Sequence, residues 1–159
     1  MKKPDSLKRL LLRAVPQLAA APESLLLFVD QGSVAARAGA TLSFEYRYKL
    51  NLVATNFTGD RNAIIVPLLA WISEAQPDLL EKPGSEPFTF ESEILDGDTA
   101  DLSITLDLTE GVRVTIEDGA YQVRHMDEPP EPDRFPGVCN NLLQLFAGGE
   151  LVAESDPVE

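Results

Sequence analysis

Few residues in this sequence could carry chemistry. The chain has one histidine, His125, and one cysteine, Cys139. Both fall in a proline-rich stretch with no second thiol or imidazole nearby, which argues against thiol–imidazole catalysis and against a zinc site, since zinc needs three or four such ligands held together. A lone cysteine also excludes an intrachain disulfide. No HExxH, GxSxG, phosphate-cradling P-loop or GxGxxG occurs anywhere in the chain. Asp96, Asp98 and Asp101 have the look of a calcium loop but lack its remaining oxygen ligands, so a solvated turn is the expectation. His125 is expected at the surface, at a strand end. Glu45, Arg47, Lys49 and Asn51 alternate on one side of a strand and read as a solvated face or, more sharply, as an interface with a partner. No catalytic, cofactor-binding or metal-binding residue is assigned, and the chain is not expected to be an enzyme.

Composition and charge narrow the field further. At 159 residues, with 44% hydrophobic and 25% charged side chains, the chain suits one soluble domain with a single core. The net charge of −13 is unevenly placed. Residues 1–85 hold ten Lys/Arg and eight Asp/Glu, whereas residues 86–159 hold three and eighteen. An acidic excess repels phosphate backbones, which disfavours sequence-specific nucleic-acid binding. The opening MKKPDSLKRLLLRAVPQLAAAP resembles a signal peptide only in passing, because Lys8, Arg9 and Arg13 interrupt its apolar run. No apolar run approaches the length of a membrane span, so no membrane partner is expected.

The element that must position everything else is Thr41 to Asn56, TLSFEYRYKLNLVATN. Leu42, Phe44, Tyr46, Tyr48, Leu50, Leu52 and Ala54 share one face, and polar residues fill most of the other. A helix would scatter that two-residue period around its axis, so the stretch reads as a long central strand with one face on a core. At about 3.3 Å per residue it spans roughly 45 Å, and its partners must be long as well. Upstream, Leu7, Leu10, Leu11, Ala14, Val15 and Leu18 predict a helix capped by Asp5 or Ser6 and broken near Val15 by Pro16. Leu25 to Val29 and Val34 to Arg37, separated by Asp30-Gln31-Gly32, read as a hairpin feeding the central strand.

Downstream, Ile64, Pro67, Leu68, Trp71, Ile72 and Ala75 predict a second helix, with Trp71 as a core anchor. Phe88 to Ile94 and Leu102 to Ile116 return to the two-residue period, with a bulge expected at Glu110-Gly111. Asp118-Gly119 signals a tight hairpin returning through Tyr121 and Val123. The expected fold is α+β, a long-stranded, mainly antiparallel sheet packed against two helices. Residues 1–124 form the core domain. Residues 125–141 form a proline-rich acidic arm or linker, and 142–159 a C-terminal hairpin with an acidic tail.

The segments KKPDSLKRLLLRAVPQL, LSFEYRYKLNLVATNFTGD, VPLLAWISEAQPDLL, FTFESEILD with DLSITLDLTEGVRV, and LLQLFAGGELVAE resemble the tail completion protein R family of P2-type contractile-tailed phages. The resemblance covers most of the chain and is weakest between His125 and Asn141. It implies a structural phage or prophage protein that completes the tail at its head-proximal end and enables head–tail joining. The architecture it implies is tail-terminator-like, typically a hexameric ring of small α+β subunits. The implied partners are copies of the chain itself, the tail tube and sheath, and the head–tail connector. The implied location is the virion tail, after folding and assembly in the host cytoplasm. In such a ring Glu45, Arg47, Lys49 and Asn51 are interface candidates. Asp127, Glu128, Glu131 and Asp133 are candidates to face the DNA channel, where basic groups would hold the genome back. The alternatives are a transient assembly adaptor and a small ligand-binding protein or enzyme.

Overall fold

The computed structural model describes residues 1–81, 83–96, 99–128 and 144–154. Helix α1 (Lys3–Ala14) and the short α2 (Pro16–Ala20) precede strands β1 (Leu25–Ala36) and β2 (Phe44–Phe57). Helix α3 (Asn62–Ala75) is followed by β3 (Thr89–Asp96), β4 (Thr99–Glu117), β5 (Ala120–His125), β6 (Gln144–Ala147) and β7 (Glu150–Glu154). The fold is α+β, as expected. The main sheet is antiparallel throughout, in the order β1-β2-β4-β3, with β5 pairing the other half of β4.

The predicted alternation sets the layers. Leu50, Leu52 and Ala54 of β2 lie beside Leu106, Ile104 and Leu102 of β4. All six are buried in one cluster with Leu7, Leu11 and Leu18 of the first two helices and Ile64, Leu68, Trp71 and Ile72 of α3. Tyr48 belongs to this buried face and Tyr46 packs against its margin. The helices therefore cover one side of the sheet. The β6–β7 hairpin touches the helices, and Leu145 and Val152 pack against the core from that side.

Several local expectations hold for the physical reasons given. Val15 is extended and divides α1 from α2 at Pro16. Asp118 and Gly119 have φ of 51° and 77°, the paired left-handed geometry of a two-residue hairpin turn. Others are corrected. Asp30-Gln31-Gly32 is an irregularity inside a single strand, with Gln31 at φ 50°, and the hairpin is made by β1 with β2. The ladder runs without a shift through Tyr46↔Glu110 and Glu45↔Gly111, so no bulge occurs there. Glu110 consequently stays in the inward file between Leu108 and Val112. Helix α1 begins at Lys3, and neither Asp5 nor Ser6 caps it. Pro67 lies inside α3, which continues past it with one main-chain bond fewer.

Ser6 has a different use: the Trp71 indole N–H donates to its Oγ at 2.8 Å. Trp71 is thus both a packing anchor and a polar link between α3 and α1. Trp71→Ala is expected to lower unfolding free energy by roughly 3–5 kcal/mol, measured by denaturant titration. Ser6→Ala, which orphans the indole N–H, is expected to cost about 1–3 kcal/mol. An unchanged midpoint for Trp71→Ala would contradict the helix-on-sheet packing.

Candidate functional site

The densest polar arrangement surrounds Glu110, which sits mid-strand in β4 with only 3% of its surface exposed. Three donors converge on its carboxylate. Lys2 N donates to Oε2 at 2.8 Å, Lys3 N to Oε1 at 3.3 Å, and the Tyr48 hydroxyl to Oε1 at 2.5 Å. The His125 Nδ1 is 3.0 Å from Oε2, outside hydrogen-bonding direction. The first amides of a helix have no internal partner and carry the positive end of its dipole. A carboxylate from the sheet supplies the missing acceptor, so Glu110 caps α1 in place of a local side chain.

A second buried polar group, Gln76, stands at the other helix end. It ends α3, accepts from Thr109 N at 3.0 Å and Lys3 Nζ at 2.7 Å, and donates to Asp78 and to the Thr109 hydroxyl. Lys3 Nζ also pairs with Glu128 at 2.6 Å. The start of α1, the end of α3, β2 and the residues after β5 are thereby tied to one point on β4.

An open groove of about 680 Å³ borders this cluster, lined among others by Lys3, Arg9, Glu74, His125 and Asp127. Two groups of the cluster are held in fixed ionisation states. Burial pushes the Glu110 carboxyl up, but the hydrogen bonds from Tyr48 and the Lys2 and Lys3 amides, with the nearby N-terminal charge, outweigh burial and hold it below the ordinary carboxylate range. Burial first, then the hydrogen bond and the charge of Glu110, push the Tyr48 hydroxyl well above its ordinary range. An acid held ionised and a phenol held neutral form a fixed structural pair.

Glu45, Arg47, Lys49 and Asn51 lie on the opposite, helix-free face of β2. Arg47 Nε pairs with Glu45 at 2.6 Å, Lys49 Nζ with Asp107 at 2.9 Å, and Asn51 accepts from the Thr105 hydroxyl at 3.0 Å. They form a polar ladder away from the Glu110 cluster. Of the acids expected to face a channel, Asp127 is exposed on the groove rim and Glu128 is held by Lys3. Glu131 and Asp133 lie outside the described residues, as do Asp98 and Cys139. Asp101 accepts from Asn56 N at 2.8 Å and so closes the end of β2.

Sequence reasoning missed Glu110 and Gln76. The signal for Glu110 was present: it occupies the inward parity of β4, where every neighbour of like parity is apolar.

The model of the family described as P2 phage tail completion protein R (GpR) matches residues 1–129. Tail completion protein R of Escherichia phage P2 is 44% identical over 158 residues, covering 98% of this chain and 99% of that protein. No solved structure matches the chain.

The Glu110 cluster has a pH signature. A carboxyl whose folded ionisation is depressed contributes stability above its unfolded value, and loses it as pH falls through the folded value. Glu110→Gln is therefore expected to be clearly less stable than the parent at pH 7. That gap should narrow as pH drops below the ordinary value of 4.5. Paired denaturation midpoints from pH 7 to pH 3 check this, and a gap constant across the range would contradict it.

Proposed function

The chain belongs to the P2 phage tail completion protein R family, and from that premise we propose that it forms a tail-terminator-like ring of six copies at the head-proximal end of the tail, where it enables head–tail joining. The coarser statements need no proposal. It is a structural tail completion protein and a component of the virion tail, it acts through contacts with other tail components, and it is not an enzyme.

The observation that carries the reading is identity spread over nearly the whole of both chains, including the β6–β7 segment. The open sheet supports the ring. Among the described residues β1 is paired on one side only along Leu25–Ala36, and free strand edges are templates for contact with another chain. A closed ring needs a head-to-tail contact between two different surfaces of the subunit. In this reading Glu45, Arg47, Lys49 and Asn51 contribute one of those surfaces. Tail tube, sheath and connector proteins meet the two ends of the ring. Residues 1–124 build its wall, residues 125–141 act as an arm, and 142–159 form the terminal hairpin. Asp127, Glu128, Glu131 and Asp133 face the channel, where negative charge lets DNA pass without being held. Folding and assembly take place in the host cytoplasm.

Light scattering on the purified protein, with negative-stain images, is expected to give annular particles of six times the 17.4 kDa subunit mass. Immunoblotting of purified virions should find the protein; its absence would favour an adaptor that leaves after assembly. Arg47→Glu with Lys49→Glu should leave the subunit folded and reduce ring yield several-fold, and unchanged yield would remove this face from the contact. Neutralising Asp127, Glu128, Glu131 and Asp133 to Asn and Gln should preserve tail joining and lower DNA ejection, read as infectivity per assembled particle.

A further inference from the structure

β3 and β5 lie end to end along the same side of β4, against Thr99–Thr105 and Val112–Glu117 respectively. Gln76 and Met126 cover the gap between them, bonding Thr109 N and the Gly111 carbonyl. The two halves of this edge are mismatched within the subunit and matched to each other. On the helix-free face of the β5 half, Arg113 stands directly opposite Arg124. On the same face of the β3 half, Glu93 stands directly opposite Asp101, with Glu91 one step along. Like charges directly opposite in a sheet repel. Among the described residues the lysine and arginine ion pairs are Lys3–Glu128, Glu45–Arg47 and Lys49–Asp107, so none of these side chains is compensated that way.

The other face of the same edge is apolar and open, because the helices stop short of it. Ile116, Tyr121 and Val123 are 67, 64 and 60% exposed on the β5 half, and Phe90 and Ile94 are 55 and 70% exposed on the β3 half. Their registers place all five on the side that is buried further along β4.

We propose that this edge binds a second copy of the chain, the β3 half of each subunit meeting the β5 half of the other. Strands joined edge to edge with matching faces must be related by a two-fold axis normal to the sheet, which brings both halves together at once. Arg124, with Arg113 one strand behind it, then stands beside Glu91 and Glu93 of the second copy, while Tyr121 and Val123 come alongside Phe90 and Ile94. The contact is isologous. It is therefore separate from the head-to-tail contacts of the proposed ring and joins two copies whether or not the ring forms.

The test uses two charge-reversed chains, Arg113→Glu with Arg124→Glu, and Glu91→Arg with Glu93→Arg. Each alone sets like charge against like in both halves. Self-association measured by sedimentation should weaken about tenfold or more, with the melting temperature of the second chain unchanged or raised, since Glu93→Arg replaces the Glu93–Asp101 repulsion with an attraction. Mixed one to one, the two chains have complementary halves at both ends of the contact and should recover the parental affinity as a heterodimer. Unaltered association of either reversed chain, or no recovery on mixing, would overturn the proposal. Six-fold particles that ignore both reversals would leave the ring reading standing and remove this edge. Two-fold particles that obey them would do the opposite. A parental chain that stays monomeric would overturn both.

Discussion

A charge taken out of water must be met by donors, or the fold that buries it does not form. Glu110 is the point where this protein satisfies that demand, and much of its geometry follows. The carboxylate is drawn into the inward file of β4 by the same alternation that buries Leu108 and Val112. It is stabilised there because two helix amides and a phenol converge on it. Reciprocally, the first turn of α1 has no side-chain cap of its own and depends on that carboxylate. Neither partner is complete alone, so the position of α1 on the sheet is specified and not merely favoured by apolar contact. Gln76 is the second such group, placed at the end of α3, where its side-chain amide serves the gap between two edge strands through Thr109. Lys3 links the two groups through its main chain and its side chain.

This explains which parts of the structure were legible in the sequence. β2, β4 and the Asp118-Gly119 turn are recorded locally: alternation and turn chemistry need only neighbouring residues. The core positions of Trp71, Leu50 and Leu106 follow from the same patterns. The cap of α1 was not legible, because donor and acceptor are 108 residues apart in sequence. A search for a cap near Asp5 or Ser6 looked in the only place a local rule can look. The Asp30-Gln31-Gly32 segment misled for a related reason. Its composition is that of a turn, but β2 runs alongside on both sides of it, and the ladder holds it as an irregularity within one strand. Glu110 was legible as an inward position, because the parity of β4 continues unbroken from Leu108 to Val112, but its donors lie on distant elements and leave no local mark.

The Glu110 cluster ties three elements to β4, which suits a protein whose task is assembly. A tail completion protein works by presenting surfaces, and this fold presents them through long strands that outrun their helical cover. β4 has 19 residues, roughly 60 Å at strand rise, and its inward file is buried from Ala100 to Val114. The exposed apolar residues lie at its margin, with Ile116, Tyr121 and Val123 at the β5 end and Phe90 and Ile94 on β3.

The charges distinguish the centre of the sheet from this margin. Along the centre of the helix-free face, opposite signs are paired within the subunit, as in Glu45–Arg47 and Lys49–Asp107. At the β3/β5 margin the arrangement reverses, and like stands against like in both halves. Sequences that fold reliably keep local choices consistent with the whole, and they depart from that consistency where function requires it. A lone arginine pair could be neutral drift. Two like-charged pairs of opposite sign on one edge, each backed by exposed apolar residues, are harder to attribute to the needs of a solitary subunit. The like-charged pairs and the exposed apolar residues coincide on the same strands, and a partner with the complementary pattern pairs the charges and sets apolar side chains beside one another. A second copy of this chain has that pattern.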